Sequence, residues 1–61
     1  MLYDNIKKTA KDKGIAICKM EKDLKISDGS ICKWNTNTPG IDKVAKVAKY
    51  LETTIDELMK D

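Results

Sequence analysis

The sequence predicts an all-α fold of five short helices in a single domain spanning residues 1–61. Apolar residues recur three or four positions apart along most of the chain, which is the spacing of one helical face. No stretch alternates apolar and polar residues as a half-buried strand does. Loop-like composition is confined to residues 35–40. At 61 residues the chain can build one small core and no second one.

The first helix is predicted from Leu2 or Tyr3, Ile6 and Ala10, which fall on one face. Gly14 follows its last turn, where a left-handed C-terminal cap is expected. Ile15 then leads into the second helix as an apolar plug for the core.

Residues 17–36 read as two short helices separated by a tight turn. Met20 and Leu24 share a face in the first of them, and Ile31 and Trp34 share a face in the second. Trp34 is expected in the core, beside Ile31.

The turn itself is only Lys25, Ile26 and Ser27. Ile26 provides an apolar anchor, and Ser27 is a suitable N-cap for the helix that follows. Two short helices joined in this way form a helix-turn-helix, with a core at about 17–36.

The outer face of the second helix in this motif carries small, polar or cationic residues and no long anionic side chain. A helix with such a face can enter the major groove of DNA. The alternative is an ordinary solvated face of a small helical domain. The residues are Asp28, Gly29, Ser30, Cys32, Lys33 and Thr36.

The fourth helix has the clearest apolar stripe in the chain, formed by Ile41, Val44, Val47, Ala48 and Leu51. A capping box at residues 54–57 then predicts the start of a fifth helix, with Thr54 and Glu57 as its two members and Leu58 directed inward with Ile55.

Charge is distributed unevenly along the chain. Residues 1–49 contain eleven lysines and six acidic residues, whereas residues 50–61 contain one lysine and four acidic residues. A basic body with an acidic end fits a polyanionic partner that contacts one side of the molecule. Lysine-rich surfaces also serve solubility, so this pattern supports a nucleic-acid partner without specifying one.

Composition argues against several other classes of protein. No apolar run approaches the ~20 residues that cross a bilayer, and the first eight residues lack a signal-peptide core, so we expect a cytoplasmic protein that does not bind membranes.

Cys18 and Cys32 are expected to be reduced and at least half-buried. With no histidine they cannot complete a four-ligand zinc site, so we expect no metal. We expect neither a cofactor nor a small-molecule ligand, and no enzyme activity, because the chain lacks a histidine, a paired-carboxylate cleft and a glycine-rich phosphate loop.

An ordered set of short motifs resembles the Cro/phage-repressor-like (Xre-type) helix-turn-helix family, from Ile6 to Leu58. The motifs are Met20-Glu21, Leu24-Lys25-Ile26-Ser27, Ser30-Ile31-Cys32-Lys33-Trp34, Pro39, Ile41-Asp42, Val47-Ala48-Lys49-Tyr50-Leu51 and Thr54-Ile55-Asp56-Glu57-Leu58. The resemblance implies a lambda-repressor-like domain of bacterial or phage origin.

The resemblance also implies the DNA-contacting residues. The helix that starts near Ser27 would lie in the major groove, with base contacts from Asp28, Gly29 and Lys33. Contacts to the DNA backbone would come from Ile17, Lys19, Ser30, Thr36 and Asn37.

Three positions depart from the family pattern. Lys25 stands at a turn position that is usually glycine, and Glu52 replaces the glycine usual after the fourth helix. Ala16 stands at a cap position where serine or threonine is common, so a phosphate contact there would come from backbone N–H groups.

The function expected from these features is sequence-specific binding of double-stranded DNA by a small transcriptional regulator, a repressor rather than an activator. A domain this small gains little affinity from one half-site, so we expect a homodimer on a palindromic operator, with Leu58 and Met59 at the interface. The alternative is a protein-interaction or antitoxin-like module on the same fold.

Overall fold

Residues 2–60 are described by a computed structural model, and they form four α-helices and no strand. The helices are α1 (Leu2–Asp12), α2 (Ile17–Asp23), α3 (Ile41–Tyr50) and α4 (Ile55–Met59), with a short 3₁₀ helix (Ile31–Lys33) between α2 and α3. The all-α prediction is confirmed. Five short helices were predicted; the structure has four α-helices, and a turn followed by the 3₁₀ helix takes the place of the third predicted helix. None of the helices within residues 2–60 combines the length and the apolar character needed to span a bilayer.

One apolar core joins all of these elements, because the predicted faces of α1, α3 and α4 are directed inward. Ile15, Leu24 and Ile26 pack around it as half-buried residues, which confirms the predicted plug and turn anchor. Ile41 is 62% exposed, contrary to prediction, because it begins α3 at the edge of the core between exposed neighbours. The buried apolar residues are Leu2, Ile6, Ala10, Met20, Ile31, Trp34, Val44, Val47, Ala48, Leu51 and Leu58.

Three of the helices end in the same left-handed cap. Gly14 (φ 70°), Lys25 (φ 59°) and Glu52 (φ 56°) each follow the last turn of a helix. In each case the next N–H donates to a carbonyl five residues back, as in a Schellman motif. The predicted cap at Gly14 is therefore confirmed. Lys25 and Glu52 adopt the glycine-like conformation without glycine, at a cost of roughly 1–2 kcal/mol each.

Side-chain hydrogen bonds connect the helix ends to distant parts of the chain. The Tyr3 N–H at the start of α1 donates to Asn35 Oδ1 at 2.9 Å. The Leu58 carbonyl in the last helix accepts from Asn5 Nδ2 of α1 at 2.7 Å. The Glu57 N–H donates to Thr54 Oγ1 at 3.1 Å, which confirms the predicted N-cap of α4. These bonds fix both the segment after the 3₁₀ helix and the C-terminal helix against α1.

Candidate nucleic-acid interface

The chain reverses direction after α2 through two left-handed residues, Lys25 and Gly29. Gly29 has a φ of 81°, and a β-carbon there would meet no atom within 4 Å. Its glycine is therefore required by the backbone conformation and not by a lack of space. Ser27 contributes its carbonyl, which accepts from the Ser30 N–H at 3.1 Å. The predicted regular helix from Ser27 is wrong at this point, because a residue at φ 81° interrupts α-helical geometry.

Glu21, which is 3% exposed, holds this turn from the core side through its carboxylate. Oε1 accepts from the Gly29 N–H at 3.2 Å, and Oε2 accepts from the Ile31 N–H at 3.0 Å. No role for Glu21 was predicted from the sequence. A signal was present, since Glu21 shares one helical face with Ile17, Met20 and Leu24, where an acid is out of place.

The 3₁₀ helix and Trp34, directly after it, contain both buried and exposed side chains, and the burial of Ile31 and Trp34 was predicted. Ile31 and Trp34 are buried, with Trp34 6% exposed, whereas Cys32 and Lys33 are exposed. Lys33 N–H donates to the Ser30 carbonyl and Trp34 N–H to the Ile31 carbonyl, at 3.1 and 3.0 Å. The backbone N–H of Lys33 is thus held by the half-buried Ser30, between the buried Ile31 and Trp34, while its side chain remains in solvent.

The predicted base-contacting residues lie together on this turn but are not equivalent. The side chains of Asp28 and Lys33 are exposed. Gly29 is half-buried, and its N–H is already bonded to Glu21. Gly29 therefore offers a partner no free main-chain donor, and its carbonyl already accepts from Cys32 Sγ at 2.8 Å.

A shallow concave surface, here called the basic groove, collects several of the predicted residues. Ser30 and Asn37 line it with Lys33, and Lys43 from the first turn of α3 joins them. Two lysines and three neutral polar residues, Ser30, Asn37 and Thr38, beside the buried Trp34 form a suitable surface for an anionic backbone.

The segment between the 3₁₀ helix and α3 contains three polar residues with different contacts, Asn35, Thr36 and Asn37. Thr36 Oγ1 donates to the Lys33 carbonyl at 3.1 Å, and the Asn37 N–H donates to the same carbonyl at 2.8 Å. Both side chains are exposed. Asn35, by contrast, is committed to α1, where it accepts from Tyr3 and donates to Asp4 Oδ1 at 3.4 Å.

On the other side of the turn, Cys18, Lys19, Lys22 and Asp23 of α2 line a second open depression with Asp28. Lys19 Nζ lies 3.3 Å from Asp23 Oδ2, an exposed ion pair that a phosphate could replace at little cost.

Ile17, at the start of α2, is half-buried and packs against the core. Only its backbone is therefore left for a phosphate. The N-cap residue, Ala16, makes no side-chain cap bond, as the sequence predicted.

Tyr50 connects α3 to α2 through Asp23. Its hydroxyl donates to Asp23 Oδ2 at 2.5 Å. This bond, aided by Lys19, lowers the pKa of Asp23 below its ordinary value of 3.8. The same bond raises the pKa of Tyr50 above 10.0. The contact joins the two helices that flank the turn.

Two further predictions concern the dimer interface and the cysteines. Leu58 is fully buried in the monomer, so it is not available as a dimer contact, whereas Met59 is 49% exposed. Leu58 is buried because it lies on the inward face of α4.

Cys18 and Cys32 are free and exposed, contrary to the expected burial, because they lie on the outward faces of their helices. Within residues 2–60 no three His, Cys, Asp or Glu side chains cluster as metal ligands do.

Comparison with protein families agrees with this geometry. The family model of the Cro/C1-type HTH DNA-binding domain matches residues 5–61. Neither the curated proteins nor the solved structures gave a significant match. The match extends over nearly the whole chain and includes both α2 and the exposed turn after it. The chain therefore belongs to the Cro/C1-type helix-turn-helix family of DNA-binding domains.

Proposed function

We propose that this protein is a transcriptional regulator that binds double-stranded DNA in a sequence-specific manner and acts as a repressor. The observation that carries the proposal is the exposed turn at residues 28–33 beside the basic groove, in a chain of a DNA-binding family. Repression requires only that the protein occupy its site. The proposal takes residues 1–61 as one domain, because the Asn5 side chain in α1 donates to the Leu58 carbonyl in α4.

Base recognition is assigned to the exposed side chains of the turn. The Lys33 ammonium group can donate to O6 and N7 of guanine, and the Asp28 carboxylate can accept from the amino group of cytosine. Gly29 contributes close approach, because it has no side chain between the backbone and the base edges. The two side chains would therefore distinguish guanine from cytosine by the opposite hydrogen-bonding character of these bases.

Contacts to the DNA backbone are assigned to both sides of the turn. On one side are Ser30, Thr36 and Asn37, with Lys43 as an addition. On the other side are the Lys19 ammonium group and the main chain at Ile17. These groups give affinity and orientation but little selectivity.

A homodimer on a palindromic operator is part of the proposal. One module of this size makes few base contacts, and paired half-sites about one helical turn apart would double them. Met59 is the residue proposed for the interface, because the other predicted residue, Leu58, is inside the core.

The experiment is a titration of duplex DNA at several salt concentrations, followed by selection of bound sequences from random duplexes. The two lysines assigned to phosphates, Lys19 and Lys43, amount to four in a dimer and would give a slope of about −3.6 in a plot of log K against log salt concentration. Selection should return a short motif, and paired motifs would report the dimer.

The protein-interaction alternative makes the opposite prediction for this titration. Asp28 lies on the same exposed turn as Lys33 and weakens its positive potential, which is the feature that favours this alternative. Absence of binding at low salt would contradict the proposed function and favour the alternative.

A further inference from the structure

We propose that Glu21 is a positioning residue for DNA recognition: its buried carboxylate fixes the shape of the base-contacting turn and thereby sets sequence selectivity. The inference rests on the proposed function, since it explains how the turn can discriminate between bases. Glu21 itself would touch no DNA, because it is only 3% exposed.

The contacts of Glu21 are divided between its two oxygens. Oε1 accepts from Gly29 and Oε2 from Ile31, so the two amides are held by one rigid, planar group. Bonds from N–H groups to a carboxylate are stronger than bonds between neutral groups. A buried carboxylate that lost these donors would be poorly solvated, so conformations of the turn that break the two bonds are disfavoured.

The backbone of Glu21 holds the other end of the same turn. Its carbonyl accepts from the Ile26 N–H at 2.7 Å. Glu21 therefore fixes the chain at both ends of the turn. Its carbonyl holds Ile26, after the end of α2, and its carboxylate holds Gly29 and Ile31, where the chain enters the 3₁₀ helix. Only residues 27 and 28 lie between Ile26 and Gly29.

Selectivity should depend on this arrangement more than overall affinity does. Asp28 precedes Gly29 directly, and Lys33 follows Ile31 by two residues. Recognition of a base edge requires side chains placed to within about 0.5 Å. Of the groups proposed to contact phosphates, Ser30 lies between Gly29 and Ile31. The two lysines that supply the positive charge, Lys19 and Lys43, lie on α2 and α3, which Glu21 does not hold through its carboxylate.

The binding test compares Glu21→Gln with Glu57→Gln. Both remove one negative charge, but Glu57 is exposed in α4 and makes no side-chain contact with the turn. The amide of Glu21→Gln can accept from one N–H group and must present an NH₂ group to the other. We expect the ratio of selected to random duplex affinity to fall about tenfold in Glu21→Gln only. Affinity for random duplex should stay within about twofold of that of Glu57→Gln.

A second test needs no DNA, and its first measurement needs no variant. In the wild-type protein, hydrogen exchange followed by NMR should show the Gly29 and Ile31 amides protected to a degree similar to amides inside α1. In Glu21→Gln these two amides should lose protection while those of α1 keep theirs. Exchange of both wild-type amides at the rate of an open loop would overturn the proposal even if the variant failed to fold.

The outcomes also separate this inference from the proposed function. A wild-type protein that binds selectively, together with a Glu21→Gln variant of unchanged selectivity, overturns the inference alone. A wild-type protein that binds no duplex overturns the proposed function, and the role of Glu21 in selectivity with it.

Discussion

At the scale of single residues, Gly29 and Gly40 show how backbone conformation decides a substitution. A β-carbon at either position would meet nothing within 4 Å, but only Gly29 has a positive φ. We expect Gly29→Ala to lower the free energy of unfolding by about 1–2 kcal/mol, the cost of a left-handed alanine. Gly40→Ala should be nearly neutral, because the entropy it removes from the unfolded chain offsets its poorer N-cap. Urea denaturation measures both, and equal losses would contradict the assigned conformation.

Lys33 and Lys49 form a matched pair for the recognition chemistry. Both are exposed lysines, but Lys33 is on the turn and Lys49 in the last turn of α3. Lys33→Gln should weaken binding to the selected duplex by about 1–3 kcal/mol and relax the preference at one base pair. Lys49→Gln should leave that preference unchanged, and thermal unfolding should be similar for the two variants. A loss of preference in Lys49→Gln would show that recognition lies elsewhere on the surface.

At the scale of helices and turns, the contact between Asp23 and Tyr50 predicts a pH-dependent link between α2 and α3. The pKa of Asp23 is lowered in the folded protein, so its contribution is present above pH 3.8 and is lost as the pH falls through the folded value. The pKa of Tyr50 is raised, so its contribution is present below pH 10.0 and is lost above the folded value.

Tyr50→Phe should therefore unfold at a lower temperature than the wild type near neutral pH, with the difference shrinking in strong acid and strong alkali. In NMR titrations the pKa of Asp23 should rise toward 3.8 in this variant. Tyr3→Phe is the control, because the Tyr3 side chain makes no contact with Asp23. A pKa of Asp23 that is the same in Tyr50→Phe and in the wild type would contradict the hydrogen bond between the two side chains.

The sequence predicted the elements whose structure depends on regular spacing. Leu2, Ile6 and Ala10 identified α1, and the capping box at Thr54 identified α4. The helix predicted from Ser27 did not form because Gly29 adopts a positive φ. The sequence could not show this, because a glycine is compatible with both a helix and a turn. Glu21 was missed because an acid in a short helix is usually solvated. Its burial depends on two amides eight and ten residues further along the chain.

At the scale of the whole molecule, dimerisation depends on the little apolar surface that remains exposed. Among the large hydrophobic residues described, those left exposed are Ile41 and Met59, on different helices. Two such residues do not form the broad apolar patch of a permanent dimer. We therefore expect a monomer in solution that pairs when two half-sites bring two copies together.

Met59 should then control cooperativity without controlling half-site binding. Met59→Lys would place a charge in the pairing surface, so binding to a full palindrome should lose its cooperativity, with a Hill coefficient that falls toward about 1. Its affinity for a single half-site should match that of the wild type, because α4 is not among the elements proposed to touch DNA. Met59→Leu conserves size and apolar character and should keep the cooperativity. Gel-shift titrations on full and half sites measure both quantities. Full cooperativity in Met59→Lys would place the dimer contact elsewhere, with exposed Ile41 at the start of α3 as the next residue to test.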